Sequence, residues 1–235
     1  MKHKKKPTFK AQYKAYLKRK NRPPKPSPKT RVNQNLDNFF KHIMPIENEW
    51  GLPAIKPCNV NMDGVTWFNF NEKEKITDPE NTAIHMFVED YQFNIVWTQP
   101  DKYLELFKKC RAVVLPDFSC YTDMSKAQQM WSAYKRQWCG RYWQDHGVNV
   151  IASLSWALGQ MHDWIFDGIP QDTVCAVSFV CDRADNRQHI KELKEAVNRV
   201  KPSRLYIKAS NKDCIELRKH FEFEQIPPFV YISRR

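Results

Sequence analysis

Glycine is scarce here: six in 235 residues, about a third of the usual share. Phosphate loops need glycines at short intervals so that the backbone can approach the phosphate. The closest pair, Gly140 and Gly147, only brackets a helix end. Walker-type ATPases, kinases and dinucleotide-binding folds are thereby excluded. The seven cysteines (Cys58, Cys110, Cys120, Cys139, Cys175, Cys181, Cys214) are odd in number and contain no Cys-x-x-Cys pair. Neither a disulfide scaffold nor a zinc ribbon is built that way, and a reducing cytosol is expected. His146 and His162 lack neighbours at ligand spacing and read as structural residues, so no metal site is expected. The longest uncharged apolar stretch, Val148 to Leu158, is broken by Asn149, Ser153 and Ser155. It falls short of the ~20 residues a bilayer requires, and no membrane partner is expected.

Acid is missing from one end. Thirteen of the 38 Lys and Arg lie in the first 31 positions with no Asp or Glu, leaving 25 bases against 26 acids in the rest. With Pro23, Pro24, Pro26 and Pro28 added, residues 1–32 cannot bury enough apolar surface to offset ordering, and a disordered basic arm is expected. Such an arm neutralises phosphates and releases counterions, giving sequence-independent, salt-sensitive binding to DNA or RNA. The residues expected to carry it are Lys4, Lys5, Lys6, Lys10, Lys14, Lys18, Arg19, Lys20 and Arg22. An inert solubilising tail is the plain alternative. A secretory signal is not expected, since no apolar core follows the lysines.

From about residue 83, short apolar runs alternate with longer periodic segments roughly every 30 residues, the mark of the βα unit. Strands are expected at Ala83–Glu89, Ala112–Pro116, Val148–Leu154, Thr173–Val180, Arg204–Lys208 and Phe229–Ile232. Helices are expected at Asp101–Cys110, from Ser125 to about Asp145, at Asn186–Val200 and at Asn211–His220. Ser125 and Gln128 make a capping box, and Asp185 is placed to cap the third helix. The fold expected is α/β, a mostly parallel sheet of about six strands with right-handed crossover helices. Periodicity leaves an open sheet and a partial (βα) barrel both available, and the even repeat length favours the barrel. Residues 33–82 read as an extension packed on the core of residues 83–235. Within it, Asn59–Phe70 could be a strand, or a hairpin turning at Asp63-Gly64.

In such folds ligands sit beyond the carboxyl ends of the strands. The loops there carry Asp90-Tyr91-Gln92-Phe93, Asp117-Phe118-Ser119-Cys120-Tyr121-Thr122-Asp123, Ser155-Trp156 and Cys181-Asp182-Arg183. Asp90, Asp117, Ser119 and Ser155 are the candidate catalytic set, with the two carboxylates dividing acid and base roles or sharing a divalent cation. Capping of local turns is the competing role for Asp90 and Asp117, and the favoured one for Asp123. Phe166-Asp167-Gly168-Ile169-Pro170 reads as a turn. Trp131, Trp138, Tyr142 and Trp143, interleaved with Lys135, Arg136 and Arg141, read as core, with base stacking as the sharper alternative.

At these residues the sequence resembles the bacterial and phage family labelled domain of unknown function 4417. The matching pieces are Asp90-Tyr91-Gln92-Phe93, Trp97, Pro100-Asp101, Pro116-Asp117-Phe118-Ser119, Tyr121-Thr122-Asp123-Met124, Tyr142-Trp143-Gln144, Ser155-Trp156 and Phe166-Asp167-Gly168-Ile169-Pro170. It departs at Phe179-Val180-Cys181, where the family pattern has small residues and glycine. The resemblance implies a phage or mobile-element setting and brings no reaction, cofactor or catalytic assignment. The expected function is therefore an intracellular or virion-associated protein that joins nucleic acid through its arm. A carboxylate- or metal-dependent barrel hydrolase or nuclease is the alternative, and a binding protein for a viral or host partner the third reading.

Overall fold

The computed structural model describes Met44, residues 46–179 and residues 186–227. The basic arm, the Asp185 cap, the Cys181-Asp182-Arg183 loop and the expected strand at Phe229–Ile232 lie outside the described residues.

Seven parallel strands form one sheet in sequence order: β1 (Thr66–Asn69), β2 (Thr82–His85), β3 (Ala112–Val114), β4 (Val150–Ser153), β5 (Val174–Ser178), β6 (Arg204–Lys208) and β7 (Glu224–Ile226). The count expected was about six. The difference at the amino end is β1, which pairs in parallel with β2 from Thr66↔Thr82 to Asn69↔His85. Asp63-Gly64 does form a turn, and Gly64 takes a φ of +71°, but residues 59–62 before it form no strand, so the hairpin is excluded. At the carboxyl end β7 is the short Glu224–Ile226 segment, paired with β6.

The sheet curls into a nearly closed barrel. Trp67 on β1 touches Tyr206 on β6, with ring centroids 5.1 Å apart. In a flat sheet those strands would stand five spacings, roughly 24 Å, from one another. Period-two alternation explains how both faces are buried. Trp67, Ala83, Ala112, Val114, Ile151, Val174, Ala176, Tyr206 and Ile226 form an inner core. Their neighbours Ile84, Val113, Val150, Ala152, Cys175, Val177, Leu205 and Ile207 belong to the outer core under the helices. Three alanines inside leave room for the Trp67 and Tyr206 rings.

The helices are α1 (Asp90–Phe93), α2 (Ile95–Thr98), α3 (Leu104–Lys109), α4 (Lys126–Asp145), α5 (Asn186–Val200) and α6 (Asn211–Leu217). The stretch Asp90 to Phe93, expected as loop, is thus a helical turn. The Ser125 capping box is formed: Ser125 Oγ accepts from Gln128 N, and Ser125 N donates to Gln128 Oε1 at 2.8 Å. Trp138, Tyr142 and Trp143 of α4 are buried, as the core reading expects, while Trp131 stays 40% exposed against the edge of Trp97. Gly168 turns with φ +83°, and a Cβ there would stand 2.5 Å from the Pro53 carbonyl oxygen, so only glycine fits this docking of the turn on residues 53–55. Among the described residues no helix is long and apolar enough to cross a membrane.

Candidate functional site

The loops beyond the carboxyl ends of the strands enclose a cavity of about 610 Å³, lined by Phe87, Asp117, Ser119, Cys120, Tyr121, Ser155, Trp156, Ser178 and His189 among others. The mouth is therefore not plugged by its own side chains, and the volume lies within the range of small-molecule sites.

Asp117 lies three residues beyond the end of β3. It is surrounded by protein, and the solvent it meets lies within the cavity. Ser153 Oγ, on the inward face of β4, donates to Asp117 Oδ1 at 3.3 Å, and Ser155 is a second hydrogen-bonding partner. Burial pushes the Asp117 carboxyl above its ordinary range and outweighs the opposing pull of Arg136 and the two serines, with the Asp90 charge adding to the rise. Arg136 reaches in from α4, 1% exposed, and donates to the Ser155 carbonyl at 3.3 Å. Its Nε and Nη2 have no hydrogen-bond partner among the described residues. Arg136 is thus a buried cation that acts on the Asp117 carboxyl through its field while its hydrogen bond goes to the Ser155 carbonyl.

Asp90 plays a different part. It does not line the cavity; its carboxylate accepts from Ser119 N at 3.1 Å and from Ser119 Oγ at 2.8 Å. The Tyr121 hydroxyl lies 3.1 Å from the same Ser119 oxygen. Asp90 thus fastens the β3 loop to the start of α1, and Asp117, Ser119 and Ser155 are the members of the expected set that face the cavity. Asp123 is exposed in the turn before α4. Two further anchors hold the rim. Buried Gln129 donates to the carbonyls of Tyr121 and Met124, and buried Glu192 of α5 accepts from Trp156 Nε1 at 2.6 Å and Gly159 N at 2.9 Å.

Three groups escaped the sequence reading. His85 ends β2 on the inward face, is 1% exposed, and is held neutral, its pKa pushed down to about 3 by burial and then by the Lys208 charge. His189 stacks on Phe179 at 4.1 Å, and burial lowers it to about 4 against the pull of Glu192. Lys208 ends β6 facing inward and donates to the Phe87 carbonyl at 2.7 Å. The signal for two of them was available: in Arg204-Leu205-Tyr206-Ile207-Lys208 and Ala83-Ile84-His85, counting by twos from the inner aromatic or alanine lands on Lys208 and His85. No comparable signal marks Arg136 or His189, which arrive on helices. Among the described residues no group of three His, Cys, Asp or Glu is placed to hold a metal ion. The six described cysteines are free.

The chain is 30% identical over 169 residues to the Gene 1 protein of Mycobacterium phage L5, covering 71% of this chain and 74% of that one. It is 28% identical over 181 residues to the Gene 1 protein of Mycobacterium phage D29, covering 76% and 67%. No solved structure matches. The family described as Domain of unknown function (DUF4417) matches residues 44–226, which takes in all seven strands and every cavity residue named above. With the barrel and its mouth inside that match, this chain belongs to the DUF4417 family.

Proposed function

We propose that the barrel mouth is a site for acid–base chemistry on a polar small molecule, with Asp117 as the proton donor, in a protein that works in a phage-infected cell or virion. The observation that carries the reading is the Asp117 carboxyl, which lines an open cavity, is hydrogen-bonded by serines, and holds its proton to higher pH than an exposed aspartate. Burial that raises a carboxyl's pKa moves it toward what a general acid near neutral pH requires. Asp90 then serves to position Ser119 rather than to act as the second carboxylate.

Asp117→Asn tests this in two measurements. A group whose folded pKa is raised favours the fold while protonated, and that contribution is lost as pH rises through the folded value. The neutral amide escapes that loss, so the variant should be more stable than the native chain at pH 8, by about 1 kcal/mol, with the gap closing toward pH 4. In thermal-shift screening against sugars, nucleosides and small carbonyl and carboxylic compounds, the native chain should respond to at least one class and the variant should lose that response. A silent native chain, or an unaltered variant, overturns the reading.

The charge of the amino-terminal segment favours a second reading alongside the first, that this segment holds the protein on nucleic acid. Thirteen bases without an acid in 31 residues support it. Deleting residues 2–31 should abolish retention on DNA or RNA columns at low salt, and retention of the native chain should fall steeply as salt rises. Equal retention of both proteins counts against the segment.

A further inference from the structure

We propose that Lys208 is a nucleophilic amine for carbonyl substrates that enter the barrel mouth, forming an imine with an aldehyde or ketone. This rests on the mouth being a site for acid–base chemistry and names the substrate class it would take.

The geometry isolates Lys208 from the usual fate of a barrel lysine. It occupies the last inward position of β6, in register with Ser178, which lines the cavity, and with Ile226. Its Nζ donates to the carbonyl of Phe87, another cavity residue, at 2.7 Å, and lies 3.5 Å from Asn69 Oδ1. Among the described residues no carboxylate comes within ion-pair distance of it; Asp117 and Glu72 act on it only through their field. The neighbouring imidazole of His85 is neutral and brings no charge to pair with. A lysine that is half-buried, held by neutral oxygens and left without a counter-ion loses part of its hold on the third proton, and burial does lower its pKa. Asp117 is shifted the opposite way, so a latent acid lines the mouth and a latent amine lies against two of its lining residues, Phe87 and Ser178, the pair that imine formation uses.

The step balances without any other reagent. The Nζ lone pair forms a bond to the carbonyl carbon while the π pair moves to oxygen, which takes the Asp117 proton and gives a carbinolamine. The nitrogen returns a proton to Asp117. That proton then leaves with the hydroxyl as water, the nitrogen lone pair closes the carbon–nitrogen double bond as an iminium, and its remaining N–H proton returns to Asp117 to leave the imine. One carbonyl and one amine become one imine and one water.

The test is reductive trapping with the full chain. Pyruvate or glycolaldehyde is added at pH 7, sodium borohydride delivers hydride to the imine carbon, and the resulting secondary amine is located by peptide mass mapping. The adduct should fall on Lys208 in preference to exposed lysines such as Lys56 and Lys102, by roughly ten-fold for each unit its pKa is depressed. Lys208→Arg, which keeps the charge and the donor to Phe87, should remove it. Asp117→Asn should slow it roughly a hundred-fold, the low end of what a positioned acid contributes. Adduct spread evenly over surface lysines, or a trapping rate unaffected by Asp117→Asn, overturns the proposal. Competitive acetylation with acetic anhydride separates the two readings. Selective acetylation of Lys208 without any carbonyl adduct would sink the imine while leaving the mouth as a site; resistance of Lys208 to both reagents would count against both.

Discussion

Lowering the pH from 7 to 4.5 is expected to remove about 5 kcal/mol of folding stability, a loss assignable to two histidines. His85 and His189 have folded pKa values near 3 and 4, whereas an unfolded histidine titrates near 6.5. Between those limits the unfolded chain binds a proton at each position and the folded chain does not, so stability rises with pH through that window and falls as acid is added. Two units of pH below 6.5 cost about 2–3 kcal/mol per histidine at 1.36 kcal/mol per unit. The sum is comparable to the whole stability of an ordinary domain. Asp117 works the other way, since its protonation in acid favours the fold, but its carboxyl is one group against two. Urea denaturation at pH 7 and 4.5 measures the loss. His85→Gln and His189→Gln should each flatten the pH dependence even where they lower stability at pH 7. An unchanged slope in both variants would show that neither imidazole is excluded from water as the fold implies.

Replacing Glu192 by alanine is expected to cost about 3 kcal/mol and to loosen one wall of the mouth. The Glu192 carboxylate is buried and accepts from Trp156 Nε1, from Gly159 N and from the Gln188 side chain. Truncation leaves the buried Trp156 indole N–H without its acceptor and frees the more accessible Gly159 and Gln188 donors, and breaking a buried network costs about 3–5 kcal/mol at the upper end. Because Trp156 and Leu158 line the cavity, the loss should be felt there as well as in the denaturation midpoint. Hydrogen exchange at the Gly159 amide reads the local effect. It should quicken well beyond the change expected from global stability alone. Glu192→Gln, which retains one acceptor oxygen, should lie between the two. A fully protected Gly159 amide in the alanine variant would mean that the loop is held by something other than this carboxylate.

The secondary structure that was legible in the sequence shares one property, that a local signal sufficed. Ser125 and Gln128 announce the start of α4, the three-four-three spacing of Ile190, Leu193, Val197 and Val200 sets α5, and Arg204–Lys208 matches β6 residue for residue. Where length was too short to carry a period, the reading slipped. The four residues of β1 were left between strand and hairpin, the three of β7 were passed over, and the single turn of α1 was taken for loop. Each of these is stabilised by its neighbours in space and has little preference of its own.

The site divides along the same line. Placement of Asp117, Ser119 and Ser155 at strand ends follows from the alternating pattern, because a parallel sheet must deliver those loops to one rim. That Asp90 would spend its carboxylate on Ser119, while Arg136 and His189 approach Asp117's cavity from α4 and α5, depends on how far each helix rotates on the barrel; no spacing along the chain encodes that angle. The sequence by itself determined which chemistry is excluded, that the strands run parallel, and where the charge lies. Only the tertiary structure decided that the sheet closes, since closure rests on Trp67 meeting Tyr206 across residues 139 apart in the chain, and closure is what brings Lys208 into the electrostatic reach of both His85 and Asp117.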